Sequence, residues 1–177
     1  MKLMAWACAA LFLGSSHLRA NTLLGKVVAV LDGDTITVLH DRQETRVRIV
    51  GIDAPEKRQA FGQRSKQSMS DCAFGKEIEI EWKKLDRYGR TVGKVLSGDV
   101  DCGLRQIELG MAWHYKAYAK DQARADREAY ATVEDEAKAD RRGLWSDANP
   151  TPPWDLRHPK NAVIQPCCGK RVTPATD

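Results

Sequence analysis

Three apolar, β-rich stretches follow one another near the start of this chain, separated only by short polar turns. Leu23 to Leu31 (LLGKVVAVL) is valine-rich and reads as a strand. Asp32-Gly33-Asp34 is turn chemistry, and Thr35 to Leu39 (TITVL) resumes the strand pattern. Asp41 to Gln43 turns again. Thr45 to Ile52 (TRVRIVGI) then alternates Arg46, Arg48 and Val50 with Val47, Ile49 and Gly51. Three consecutive strands with short polar turns suggest an antiparallel meander.

The rest of the chain adds helices to this sheet. Pro55 closes the first strand region, and Gln59 to Phe74 reads as a helix with Phe61, Ser65, Met69 and Cys72 near one face. Lys76 to Trp82 (KEIEIEW) alternates cleanly, as a half-buried strand does. Lys83 to Gly89 is a loop and Thr91 to Leu96 a fifth strand. Leu104 to Leu109 reads as a short helix stopped by Gly110. Asp121 to Arg142 reads as a long polar helix, with Ala125, Ala129, Val133 and Ala137 at spacing four. The acid-rich mixture from Asp121 to Asp140 has the look of a solvated helix face. Five strands with helices after the third and fifth give an α+β, β-rich domain. They suggest a small closed barrel of the oligonucleotide-binding (OB) type.

At 177 residues the chain holds one ordinary domain with a real core. Its first twenty residues have the layout of a signal peptide. Lys2 gives a positive start, Met4 to Leu13 is apolar but too short to span a bilayer, and Leu18-Arg19-Ala20 ends in a small residue. The expected organisation is a leader over 1–20, the domain over 21–157, and a flexible tail over 158–177. A chain so processed is exported, to the periplasm or beyond, with no stable membrane association and a monomeric state expected. Losing Lys2 and Arg19 lowers the net charge from +4 to about +2, too mild to argue nucleic-acid binding by itself. Cys8 leaves as well, so Cys72, Cys102, Cys167 and Cys168 remain, with no spacing that fits a zinc site. An even number of cysteines in an exported protein makes disulfides plausible.

The chemistry sits in three charged clusters: Asp32-Gly33-Asp34-Thr35, Arg48 through Glu56 (RIVGIDAPE), and Asp86 through Arg90 (DRYGR). Asp34 and Asp53 lie at the edges of neighbouring strands. Two carboxylates brought together repel unless a cation lies between them. Oxygen-only ligands imply a hard ion, calcium or magnesium, and calcium tolerates an irregular shell completed by carbonyls and water. The carbonyl of Ala54 is the natural third ligand. Glu56, three residues on, is a candidate general base. Arg48 and Arg90 are candidates for a bidentate grip on a phosphate and for stabilising its transition state. Tyr88 and Tyr118 can stack on bases, and Arg87 and Lys116 can add phosphate contacts. Taken singly, Asp34 reads equally as a turn former, Glu56 as a surface acid and each arginine as half of a surface ion pair. Trp113 reads as core, and His114 as structural.

Together these segments, with Glu108 through Tyr115 (ELGMAWHY), resemble the staphylococcal nuclease (thermonuclease) family from about Leu24 to Trp145. The resemblance implies a five-stranded OB barrel with three helices. It also implies calcium-dependent endonucleolytic cleavage of DNA and RNA, single strands favoured, leaving 3′-phosphate and 5′-hydroxyl ends. Residue by residue it makes Asp34, Asp53 and the Ala54 carbonyl the calcium ligands. It makes Arg48, Glu56 and Arg90 the catalytic residues, and Arg87, Tyr88, Lys116 and Tyr118 substrate contacts. Ala54 replaces a threonine of the best-known member, and Lys116 a tyrosine. The family fold also places Cys72 and Cys102 close together, which points to a disulfide, with two buried free thiols as the alternative. Cys167-Cys168 could instead pair between chains.

Two other functions fit parts of this pattern. One is the same barrel gripping nucleic acid without cutting it. The other is an exported calcium-binding structural protein, in which Arg48 and Arg90 would have no purpose near the ion.

Overall fold

The computed structural model describes residues 21–157, and the expected leader over 1–20, the expected tail over 158–177 and Cys167-Cys168 lie outside them. The first three strands are β1 (Asn21–Val30), β2 (Thr35–His40) and β3 (Gln43–Ile49), followed by a short β4 (Ile52–Asp53). Helix α1 (Gly62–Ala73) leads to the hairpin of β5 (Glu77–Leu85) and β6 (Thr91–Ser97). Then come β7 (Val100–Asp101), α2 (Cys102–Glu108), β8 (Trp113–His114), α3 (Arg124–Ala139) and the small α4 (Pro153–Arg157).

The meander is present as expected. β1 pairs antiparallel with β2, and β2 with β3, across a turn in which Asp41 and Arg42 both take positive φ. β1 also pairs with β5, and β5 with β6. A parallel pairing of β3 with β6, Val47 to Thr91 through Ile49 to Gly93, closes the five long strands into a barrel. Alternation explains the interior: Val27, Ile36, Val38, Val47, Ile49, Ile78, Ile80 and Val95 all point inward and are buried. Met69 of α1, Ile107 of α2 and Tyr130 of α3 extend this core beneath the helices. Each such side chain, fully buried, contributes roughly 1.5–3 kcal/mol.

Three helix boundaries differ from the sequence expectation, each for a local reason. α1 starts at Gly62, not Gln59, because the chain first folds back on itself: Gln59 N–H donates to the Glu56 carbonyl at 2.8 Å, and Phe61 is left-handed with φ 65°. α2 starts earlier than predicted, at Cys102, because the Asp101 carboxylate caps it through the N–H groups of Gly103 and Leu104. α3 starts at Arg124 because Lys116–Asp121 coil as 3-10 turns and Gln122 is extended. Its buried face matches only the second half of the predicted row: Ala137 is buried and Val133 packs against the core, whereas Ala125 and Ala129 are exposed and Tyr130 and Glu134 are buried in addition. Leucine-like packing is not required for burial when a carboxylate is fully hydrogen-bonded, which is the case for Glu134.

Cys72 and Cys102 form a disulfide, with Cα atoms 5.9 Å apart, tying the end of α1 to the start of α2.

Candidate active site

The turn between β1 and β2 builds the first part of the site. Leu31 N–H donates to the Thr35 carbonyl at 2.9 Å, and Asp34 N–H to the Asp32 carboxylate at 3.1 Å. Gly33 is needed between them, since a Cβ there would lie 1.8 Å from Ser65 Oγ and 2.8 Å from Ala54 Cβ. The turn therefore docks directly on α1 and on the Ala54 segment. Gln106 of α2 fixes it from below, donating to the Gly33 carbonyl at 2.7 Å.

β4 supplies the second part. Gly51 takes φ 77°, and the chain re-forms a short ladder in which Asp53 faces Trp113 and Ile52 faces His114. This pairing sets Asp53 beside the turn that carries Asp34. The Ala54 N–H donates to Asp34 Oδ2 at 2.7 Å, and the Thr35 hydroxyl to Asp34 Oδ1 at 3.0 Å. Arg48, at the inner end of β3, joins both acids, with Nη1 2.6 Å from Asp34 Oδ2 and Nη2 2.8 Å from Asp53 Oδ1. Asp34 is 6% exposed and Asp53 0%, so two carboxylates are held almost free of water around one guanidinium.

The electrostatics are unbalanced. Burial, reinforced by Asp34, pushes the Asp32 carboxyl up to about 7. Burial also raises Asp53, and the attraction of Arg48 does not cancel it. Burial disfavours the charge on Arg48, but Asp34, Asp53 and Asp32 outweigh it and raise its pKa. Arg48, and Arg157 on the second oxygen of Asp53, stand against Asp32, Asp34 and Asp53, which leaves an excess of acids over cations. That supply of desolvated oxygens suits a hard cation. Among the described residues no three Asp, Glu, His or Cys side chains are gathered as a ready metal cage. A bound ion would take two carboxylates, a backbone carbonyl, and water or substrate oxygens.

Glu56 stands at the rim, its side chain 46% exposed, with its N–H donating to Gln59 Oε1 at 3.0 Å. A residue absent from the sequence reading meets it there. Arg157, at the end of α4, places Nη1 2.7 Å from Glu56 Oε1 and Nη2 on Asp53 Oδ2. No motif marks Arg157, and the signal that could have found it is Trp154, an aromatic anchor three residues earlier. Asp32 was also passed over, as turn chemistry alone.

Asp34, Arg48, Asp53, Ala54 and Glu56 are thus joined, directly or through Arg157, whereas the other predicted residues make no hydrogen bond or ion pair with them among the described residues. Arg90 and Tyr88 belong to the β5–β6 turn, which Asp86 organises by accepting from the N–H groups of Tyr88 and Arg90. Burial opposes the charge on Asp86, but these bonds and that from Arg90 Nε hold its pKa below the usual range. Arg90 makes none of the ion pairs that knit Arg48 to its carboxylates. Tyr88 is 68% exposed, with Arg87 and Arg90 both against its ring face. A groove of about 540 Å³ runs beside it, lined by Thr37, Glu44, Arg46, Tyr88, Gly89 and Arg90. Tyr118 is exposed and packs near Tyr115, and Lys116 donates to Glu134 at 2.9 Å. Trp113 and His114 are buried, in keeping with structural roles.

A closed OB-type barrel with a carboxylate and arginine centre at the β1–β2 turn defines a class, and the comparisons agree with it. A family model described as "Staphylococcal nuclease homologue" matches residues 46–147. A protein named uncharacterized endonuclease from Escherichia coli O157:H7 is 40% identical over 85% of this chain and 95% of its own. A micrococcal nuclease of Shigella flexneri is 44% identical over 78% of this chain and 83% of its own. An uncharacterized endonuclease of Haemophilus influenzae is 40% identical, covering 75% and 71%. This chain belongs to the staphylococcal nuclease family.

Proposed function

We propose that this protein is a calcium-dependent endonuclease that hydrolyses phosphodiester bonds of DNA and RNA, leaving 3′-phosphate and 5′-hydroxyl ends. The nuclease activity follows from the family and from relatives named as endonucleases. The finer reading rests on one observation above the rest: Asp34 and Asp53, both buried, converge on Arg48 with Glu56 at the rim.

Asp34, Asp53 and the Ala54 carbonyl would hold calcium, whose chemistry there is to polarise the scissile phosphate and offset its charge. Glu56 is half-exposed, as a base that takes a proton from water must be. Arg48 is fixed by two ion pairs before substrate arrives, so its positive field needs no reorganisation as charge builds on the phosphate. Arg90 is held by Asp86 through Nε, which leaves its Nη edge for a phosphate oxygen. Water is the better donor to the departing 5′ oxygen, since a guanidinium with a pKa of about 12 or more is a poor acid. The exposed rings of Tyr88 and Tyr118 favour single strands, whose bases are free to stack. Arg46 lies on the same strand as Arg48 and lines the groove that leads away past Tyr88, a path for the strand beyond the scissile bond. The leader-like first twenty residues fit an exported enzyme.

The test is cleavage of single-stranded DNA by the chain from Asn21 onward, in calcium and then in excess chelator. Cutting only in calcium, with 3′-phosphate ends, is the expected result. Folded protein that binds DNA but never cuts it, in calcium or magnesium, would make this a binding module instead.

A further inference from the structure

The segment after α3 returns to the site and is tied down on both sides of Glu56. Pro153 is buried. The Trp154 ring stacks on Tyr115, centroids 5.3 Å apart at 23°, and meets Trp113 edge-on at 6.1 Å. Trp113 is itself the ladder partner of Asp53. On the other side, the Thr151 carbonyl accepts from the side chain of Gln59, whose own oxygen holds the Glu56 N–H. Between these anchors the chain has little choice about where Arg157 goes.

Its guanidinium takes the remaining oxygen of Asp53. Arg48 holds Oδ1, Arg157 holds Oδ2, and the second Nη of Arg157 holds Glu56. Both oxygens of Asp53 are therefore already in ion pairs with guanidiniums, and Glu56 is paired where a base should be open. Asp34 and Asp53 exceed the single charge of Arg48, and Arg157 supplies a second positive charge.

We infer that Arg157 competes with a cation for the Asp53 and Glu56 side of the site: it pairs with one proposed metal ligand, holds Glu56 paired, and swings out when calcium binds. This deepens the calcium reading and rests on it. The side chain is 41% exposed and sits at the end of its helix, so it can leave toward solvent without unfolding anything. Metal affinity is then divided by the fraction of time the site stands open. If Arg157 is in place nine-tenths of the time, the apparent Kd for calcium is about tenfold weaker than the site's own.

Titration calorimetry with calcium alone, no nucleic acid present, tests this on the wild type, Arg157→Ala, Arg157→Gln and Asp53→Asn. Both Arg157 variants should bind calcium about tenfold more tightly than wild type. They should also melt below wild type in chelator and gain more from added calcium. Asp53→Asn should bind none. Affinity in the Arg157 variants equal to or weaker than wild type, but still dependent on Asp53, overturns the role of Arg157 and leaves the calcium reading standing. Absence of calcium binding in wild type and Arg157 variants alike overturns both. The glutamine variant removes the charge but keeps a longer, polar side chain, so a fold defect in the alanine variant does not decide the matter.

Discussion

Two buried acidic centres lie within this small domain, and they are built on opposite principles. Glu134 of α3 is a lone carboxylate, 3% exposed, that accepts from Lys116 at 2.9 Å, Lys138 at 2.8 Å and the His114 N–H at 3.0 Å. Burial alone would raise its pKa, but these donors outweigh it and hold Glu134 below its ordinary value. The centre at Asp32, Asp34 and Asp53 has more carboxylates than cations, and there burial wins, pushing Asp32 up to about 7 and raising Asp53. A saturated acid holds a fold together. A crowd of under-neutralised acids makes the folded state wait for a ligand.

The comparison breaks most visibly in the activity of the second centre. Arg48→Ala should lose roughly 10³-fold in the rate of single-stranded DNA cleavage, because it removes a preorganised charge from the developing one. Asp53→Asn should be similarly inactive, yet its Tm without calcium should hold or rise. Asp53 has a folded pKa above its unfolded one, so at neutral pH its ionised form costs the folded state stability. An Asp53→Asn protein that melts well below wild type would erase the contrast.

Glu134→Ala should show the reverse pattern. It leaves the His114 N–H and two lysines without their partner and should cost about 2 kcal/mol by denaturant unfolding. The exposure of Lys116 and Lys138 keeps the figure that low. Catalytic rate in the folded fraction should stay within about twofold of wild type. Glu134→Gln sharpens the point through pH. A carboxylate with a depressed folded pKa stabilises fully above its ordinary value of 4.5, and that contribution is lost as pH falls through the folded value. The gap in stability between wild type and this variant should therefore narrow as pH falls below about 4.5. The smallest effect expected is at Arg46, where alanine should raise KM by about threefold on long strands, with salt dependence reduced, and leave a dinucleotide unaffected.

Much of this was legible from residue types alone. Short polar turns between alternating runs fixed the meander, and DGDT with RIVGIDAPE placed the carboxylates and Arg48 at strand edges that the barrel brings together. The closing β3–β6 pair was not legible, because parallel pairing across forty residues leaves no local mark. Glu134 was hidden for a different reason. An acid-rich helix reads as solvated, and only the arrival of Lys116 and the His114 backbone from β8 explains its burial. Arg157 was hidden because its role depends on where Trp154 lands, and a proline-rich segment carries no periodicity to predict that.

The Cys72–Cys102 bond encloses a stretch that deserves a different kind of thought. Between the two sulfurs lies the whole β5–β6 hairpin, with Tyr88 and Arg90 at its tip, a separation of 30 residues. Closing a loop of that length restricts the unfolded chain by about 3–4 kcal/mol. Asp34 and Arg48 lie outside the ring, on strands that the bond does not touch. A thiol reductant nonetheless lowers the stability of the whole domain instead of loosening one arm: the hairpin stays paired to β1 and β3, and the two helices that the bond joins are the ones on which the Asp34 turn rests.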